Sequence, residues 1–187
     1  MFSFRFYLII IMITLVSSCA QPESRRPIQQ KTGKYFGANL ERNKQLIAQE
    51  VKLIEAIIAN DSLHHYEKSA SGSYLYYLRK NDSATYLPQP NDLVTLAYDV
   101  MSLDNDTIYS GETIGIKKYK VDMEELFPGL RYGVKLLKVN EKATFLFPSS
   151  MGYGYPGDGD KIGVNTPLKS TLTILKIEKE STLNNEN

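Results

Sequence analysis

One cysteine, Cys19, and two adjacent histidines, His64 and His65, are all that this chain of 187 residues has of either type. A lone cysteine excludes an intrachain disulfide. The histidine pair suggests a metal site, but no second cluster of His, Cys or carboxylates stands at a ligand spacing, so neither a metal nor another cofactor is implied. Charge of one sign is not in excess either: 22 Lys and Arg against 21 Asp and Glu leave a net +1, with no electrostatic footprint for nucleic acid. G-x-S-x-G is absent and both histidines lie far upstream of Ser149-Ser150, so that pair reads as a turn and not as part of a hydrolase. Asp158-Gly-Asp160 imitates the start of a calcium loop, yet Ile162 and Lys169 fall where oxygen ligands are needed. No apolar run is long enough to span a membrane comfortably, which takes about 20 residues.

What is present begins with MFSFRFYLIIIMITLVSSCA. Arg5 gives a positive start, Phe6 to Val16 an apolar run and Ser17-Ser18-Cys19 a small-residue exit, the pattern of a signal segment over 1–18. Cys19 after LVSS resembles a bacterial lipobox, which implies acylation of Cys19 and attachment to a membrane through lipid. Residues 19–38, rich in Pro, Gln, Gly and charge and without period, read as a flexible tether.

An amphipathic helix is expected over 39–61, with Asn39 as its cap. Leu40, Ile47, Val51, Ile54 and Ile58 recur at helical spacing, while Glu41, Lys44, Gln45, Lys52 and Glu55 take the other side. Its apolar face can pack on the following domain or on a second copy, making a homodimer. After SASGS the texture changes to strands at 74–80, 92–102, 114–121, 142–148 and 167–178, with one further helix over 126–137 and turn residues between most of them. The class is α+β, an antiparallel sheet against one short helix, followed by a disordered tail over 179–187. Alternation places Val94, Leu96, Tyr98 and Val100 on one face, separates Phe145 and Phe147 from Leu146, and groups Leu168, Ser170, Leu172 and Ile174.

The stretch PSSMGYGYPGDG, 148–159, places two tyrosines among glycines and prolines. Such rings either fold back on the core or line a hollow that binds something. Taken with its surroundings, this stretch resembles the FKBP-type peptidyl-prolyl isomerases. Those proteins carry a strand ending in proline and a turn closing with Ala-Tyr-Gly, similar to Pro148 to Gly154 here. Ile162-Gly163-Val164-Asn165 is similar to their Ile-Pro-Pro-Asn loop. SGSYLYYL, LVTLAYDV, TIYSG and LFPGLRYGVKLLKVNEKATFLFP resemble further segments in the family's order, over 72–178. The signal segment, Cys19 and the amphipathic helix together resemble the gliding-motility-associated FKBP-type lipoproteins.

The resemblance implies a pocket with Tyr98 and Tyr109 as aromatic walls, Leu130 as floor and Ile162 on the rim. It places Leu126 and Phe127 at the helix entrance, with the Phe127 N–H and the Tyr153 hydroxyl holding substrate carbonyls. Tyr155 reads as a loop or lid residue. Departures from the family fall at Leu130, where its tryptophan stands and this chain has no Trp, at Ser110 in place of an aspartate, near Lys117, and at Ser170 in place of a phenylalanine. A wider, wetter pocket with weakened activity follows.

The implied function is isomerisation of proline-containing polypeptide clients during folding of exported proteins, with gliding-motility or secretion components among them. A non-catalytic binding or scaffold module is the alternative. Ala20 after Cys19 carries no negative charge, and by resemblance to other diderm lipoproteins this implies the outer membrane, facing the periplasm.

Overall fold

A computed structural model describes residues 33–183; Cys19, the signal segment and the tether up to residue 32 lie outside the described residues, as do 184–187. Helix α1 spans Gly33–Asn60. It begins before Asn39, so the expected cap is an interior residue and part of the expected tether is helical. No proline lies between Pro27 and Pro88 to stop it, and Gly37 costs only about 1 kcal/mol relative to alanine. At the other end Asp61 accepts the Leu63 N–H at 3.0 Å, His64 Nδ1 at 2.8 Å and the Tyr66 hydroxyl at 2.9 Å. The His64 hydrogen bond, above all, holds the Asp61 carboxyl down at about 2. His64 also lies against Tyr76, ring centroids 4.0 Å apart, so its ring has a structural role at the helix end.

Eight strands follow: β1 Glu67–Lys68, β2 Tyr74–Arg79, β3 Leu93–Tyr98, β4 Val100–Met101, β5 Thr107–Tyr109, β6 Lys117–Lys120, β7 Lys142–Phe147 and β8 Leu168–Glu178. They form one antiparallel sheet in the order β1-β2-β7-β8-β3-β6, with β4 pairing both β5 and β8. The expected strand over 92–102 is thus two. At Asp99 the ladder passes to the side chain, whose Oδ1 accepts the Thr171 N–H at 2.7 Å while the Asp99 carbonyl accepts the Ser170 hydroxyl at 2.6 Å. Burial raises the Asp99 carboxyl above its ordinary value.

Helix α2, Gly111–Ile114, takes the start of the expected 114–121 strand, and α3, Pro128–Val134, is the core of the expected 126–137 helix. The expected disordered tail instead begins with one turn, α4 Glu180–Leu183. It is held there because the Glu180 N–H donates to buried Asp92 at 3.0 Å and Lys179 sits 4.2 Å over the Tyr86 ring.

The alternation of β7 decides the layering. Phe145 and Phe147 are fully buried with Leu130 and Val134 of α3 on one face of the sheet. Leu146 points the other way, into a smaller cluster with Ile54 of α1 and Tyr74 of β2. The helix therefore packs on its own sheet through Ile54, while Leu40 and Leu53 remain 56% and 52% exposed. No helix among the described residues is long and apolar enough to cross a membrane.

Candidate active site

At the start of α3 the chain turns from an extended Phe127, φ −61° and ψ 149°, into Pro128 at the first helical position, where proline's missing N–H costs nothing. Gly129 lets this turn approach the sheet. A Cβ there would stand 2.6 Å from Phe147 Cδ1 and 2.9 Å from the Met151 carbonyl oxygen. Phe127 consequently meets Phe147 edge-on at 5.6 Å and Tyr153 at 5.4 Å.

Tyr153 follows a single 3-10 turn, Ser149–Met151, that Pro148 joins to the end of β7. The Ser149 carbonyl accepts the N–H groups of both Gly152 and Gly154, each at 2.9 Å, so the residues flanking Tyr153 are tied to one atom. Farther along, Gly157 has φ +67° and a Cβ there would lie 2.3 Å from the Ile162 carbonyl oxygen, which leaves glycine as the residue that fits.

Between these parts opens a cavity of about 630 Å³. Its wall combines Tyr98 from the end of β3, Leu126 and Phe127 from the entrance to α3, and Tyr153 from the loop, with Glu125 and Arg131 at the polar side. Burial pushes both the Tyr98 and Tyr153 phenols above their ordinary value, and for Tyr153 the neighbouring Tyr98 and Asp158 add to the rise. Both hydroxyls therefore stay protonated throughout the neutral range and can donate. None of the described backbone hydrogen bonds uses the Phe127 N–H.

The other residues implied by the sequence stand outside this wall. Leu130 is fully buried beneath it and Ile162 is 3% exposed. Tyr109 turns its hydroxyl to Asp158 Oδ2 at 2.5 Å and to Asp160 Oδ2 at 3.2 Å. The first of these bonds pushes the Tyr109 phenol up to about 12. Burial raises the Asp158 carboxyl, but the bonds from Tyr109 and from the Asp160 and Ile162 N–H groups outweigh it and hold that carboxyl below its ordinary value. Ser110 caps α2 by accepting the Thr113 N–H at 3.1 Å. Ser170 is fully buried, its hydroxyl committed to Asp99. Tyr155 is 78% exposed.

Arg131 was not anticipated from sequence, although it lies one helical turn after Phe127 and so on the same side of α3. Among the described residues no group of His, Cys, Asp and Glu is arranged to hold a metal ion.

The sequence profile of the family described as FKBP-type peptidyl-prolyl cis-trans isomerase matches residues 85–175. FK506-binding protein 2 of Dictyostelium discoideum is 31% identical over 97 residues, which are 51% of this chain and 73% of that protein. The chain belongs to the FKBP-type peptidyl-prolyl cis-trans isomerase family. A probable FKBP-type isomerase FkpA of Neisseria meningitidis serogroup B is 28% identical over 123 residues, covering 66% of this chain and 44% of the relative. FkpA of Aeromonas hydrophila is 27% identical over 137 residues, 73% of this chain and 50% of that one. The chain thus spans about half the length of these FkpA relatives or less. A peptidyl-prolyl cis-trans isomerase of Pseudomonas syringae pv. tomato shares this fold at 19% identity, with a TM-score of 0.54 over 71% of this chain and 96% of that structure.

Proposed function

We propose that this FKBP-family chain isomerises X-Pro peptide bonds of extended polypeptides. The observation carrying the proposal is the convergence of Tyr98, Leu126, Phe127 and Tyr153 on one cavity from three separate parts of the chain. The barrier to be lowered is the resonance of the C–N bond, about 18 to 20 kcal/mol. A twisted amide has lost that resonance and is less dipolar than the planar one, so a wall that replaces water by apolar surface disfavours the planar ground state more than the transition state. No nucleophile, base or metal enters this scheme. The Tyr153 hydroxyl and the Phe127 N–H would hold the carbonyls on either side of the turning bond.

Burial of Leu130 and Ser170 out of the wall favours a second reading, in which the cavity binds proline-containing segments with little acceleration. One experiment separates the two. Isomerisation of a panel of X-Pro tetrapeptides is measured with the chain and with Tyr153→Phe, alongside peptide affinity and thermal stability. Acceleration that falls by about tenfold in Tyr153→Phe at unchanged melting temperature, corresponding to ~1.4 kcal/mol of lost hydrogen bonding, supports catalysis. Binding without acceleration by folded wild-type chain leaves the module reading and removes the isomerase one.

The clients we propose are exported proteins met at a membrane surface, with gliding-motility or secretion components among them. The lipobox-like LVSSCA and the stretch after it support this placement, on the periplasmic face of an outer membrane. Exposed Leu40 and Leu53 on α1 support a second copy as an additional partner. Metabolic labelling with palmitate should mark the chain and disappear in Cys19→Ser; label retained by the variant would overturn the lipobox reading of Cys19, and an unlabelled wild-type chain would sink the lipid anchor.

A further inference from the structure

Three carboxylates of the described residues are buried, and two of them secure loops away from the cavity. Asp92 accepts the Tyr86 hydroxyl and the N–H groups of Gln89 and Glu180. Glu141 accepts the N–H groups of Asn81 and Lys138. The third, Glu50, lies on α1 with 8% exposure and reaches across to the loop of Tyr153. Its Oε2 accepts the Ser149 N–H at 2.8 Å and its Oε1 the Ser149 hydroxyl at 2.7 Å, both bonds buried and 99 residues apart in sequence.

Ser149 is the residue whose carbonyl ties Gly152 and Gly154, and Tyr153 sits between those two glycines. A continuous set of bonds therefore runs from α1 through Ser149 to the backbone that aims the Tyr153 ring at Phe127. The helix end of this path is fixed as well, because Ile54, one turn after Glu50, is fully buried against Tyr74 and Leu146. A carboxylate suits this position because it offers two acceptors to two donors of a single residue, and charge-assisted bonds in a site shielded from water are the stronger kind.

We infer that Glu50 is a positioning residue of the active site, through which α1 sets the place of the Ser149–Gly154 loop and hence of Tyr153. The helix then serves as one wall of the catalytic unit's support and not only as a spacer or a packing face. The activity arm of the test rests on the isomerase reading; the exchange arm does not.

Four versions of the full chain are compared: wild type, Glu50→Ala, Glu50→Gln and Ser149→Ala. Amide hydrogen exchange is followed by mass spectrometry over the loop and over β3 and β8, together with kcat and KM for an X-Pro peptide. In Glu50→Ala, loop exchange should rise by about ten- to a hundredfold, the loss expected when a bond to a charged group is removed, while β3 and β8 stay protected. Turnover should fall with it. Glu50→Gln keeps an oxygen for the Ser149 N–H and presents an NH₂ to the hydroxyl oxygen, so both bonds can persist and both readouts should stay within about threefold of wild type. Ser149→Ala removes one of the two bonds and should move both readouts in the same direction by less; it decides the question if Glu50→Ala does not fold. Unchanged loop exchange in the folded variants, or a rise spread evenly over loop and strands, would overturn the inference. A wild-type chain without isomerase activity would refute the functional reading instead, and the exchange pattern would still decide the role of Glu50.

Discussion

Gly129→Val should lower stability by about 3 kcal/mol, and Gly129→Ala by about 1 to 2 kcal/mol, the range for forcing extra atoms into a packed core. An added Cβ would lie 2.6 and 2.7 Å from Phe147 Cδ1 and Cε1 and 2.9 Å from the Met151 carbonyl oxygen. Neither neighbour can give way easily. The Phe147 ring is fully buried, stacked on Phe145 at 5.5 Å and met edge-on by Phe127, and the Met151 oxygen is backbone. Alanine recovers about 1 kcal/mol through its helix propensity, which is why its net penalty is smaller than valine's. The check is the urea midpoint at constant denaturant slope. Because the relieving movement is a retreat of α3 from the sheet, Phe127 and Leu126 must shift too, and isomerase activity should fall under conditions where both variants remain folded. An unchanged midpoint for Gly129→Val would mean that α3 stands too far from β7 for the added atoms to meet the Phe147 ring.

The layering that makes Gly129 critical was legible in sequence because it depends on period-two alternation. Phe145 and Phe147 had to part from Leu146, and Leu168, Ser170, Leu172 and Ile174 had to share a face; the structure buries all four. The FKBP fold was reached through the resemblance of the segments, in their order, to that family. Short elements escaped for the opposite reason. β5 has three residues and β1 two, too few to show a period, and each exists because a partner strand is in place. Asp99 also gave no warning, since a carboxylate that substitutes for a ladder bond looks like any alternating polar residue.

Site residues divide along the same line. Tyr98 takes its direction from the alternation of β3, whereas Leu126, Phe127 and Tyr153 were placed by the family resemblance, and the fold brings all four to one cavity. Tyr109 depends on Asp158, 49 residues away, and Glu50 on Ser149, 99 residues away. No local pattern encodes such pairs. A weak signal did exist for Glu50: it falls three residues after Ile47 and four before Ile54, on the buried stripe of α1 rather than on its charged side. A lone carboxylate in that position asks for a partner.

Tyr98→Ala should reduce kcat/KM for X-Pro isomerisation by about ten- to a hundredfold, or ~1.4 to 2.8 kcal/mol of barrier. The ring is half-buried at the end of β3, packed on the core on one side and forming cavity wall on the other. Truncation opens that wall to water, and water solvates the dipolar planar amide better than the twisted one, so the gain from desolvation shrinks where it matters most. The loss should appear in kcat, since the wall acts on the difference between ground and transition states, whereas a residue that merely gripped substrate would raise KM alone. The pH profile adds an independent reading. Burial raises the phenols of Tyr98 and Tyr153, which therefore carry their protons from about pH 6 to 9, below the ordinary tyrosine value of about 10. Wild type and variant should both be flat across that range. A bell-shaped profile would instead require a titrating acid or base, and the desolvated-amide mechanism would have to be replaced by one that moves a proton.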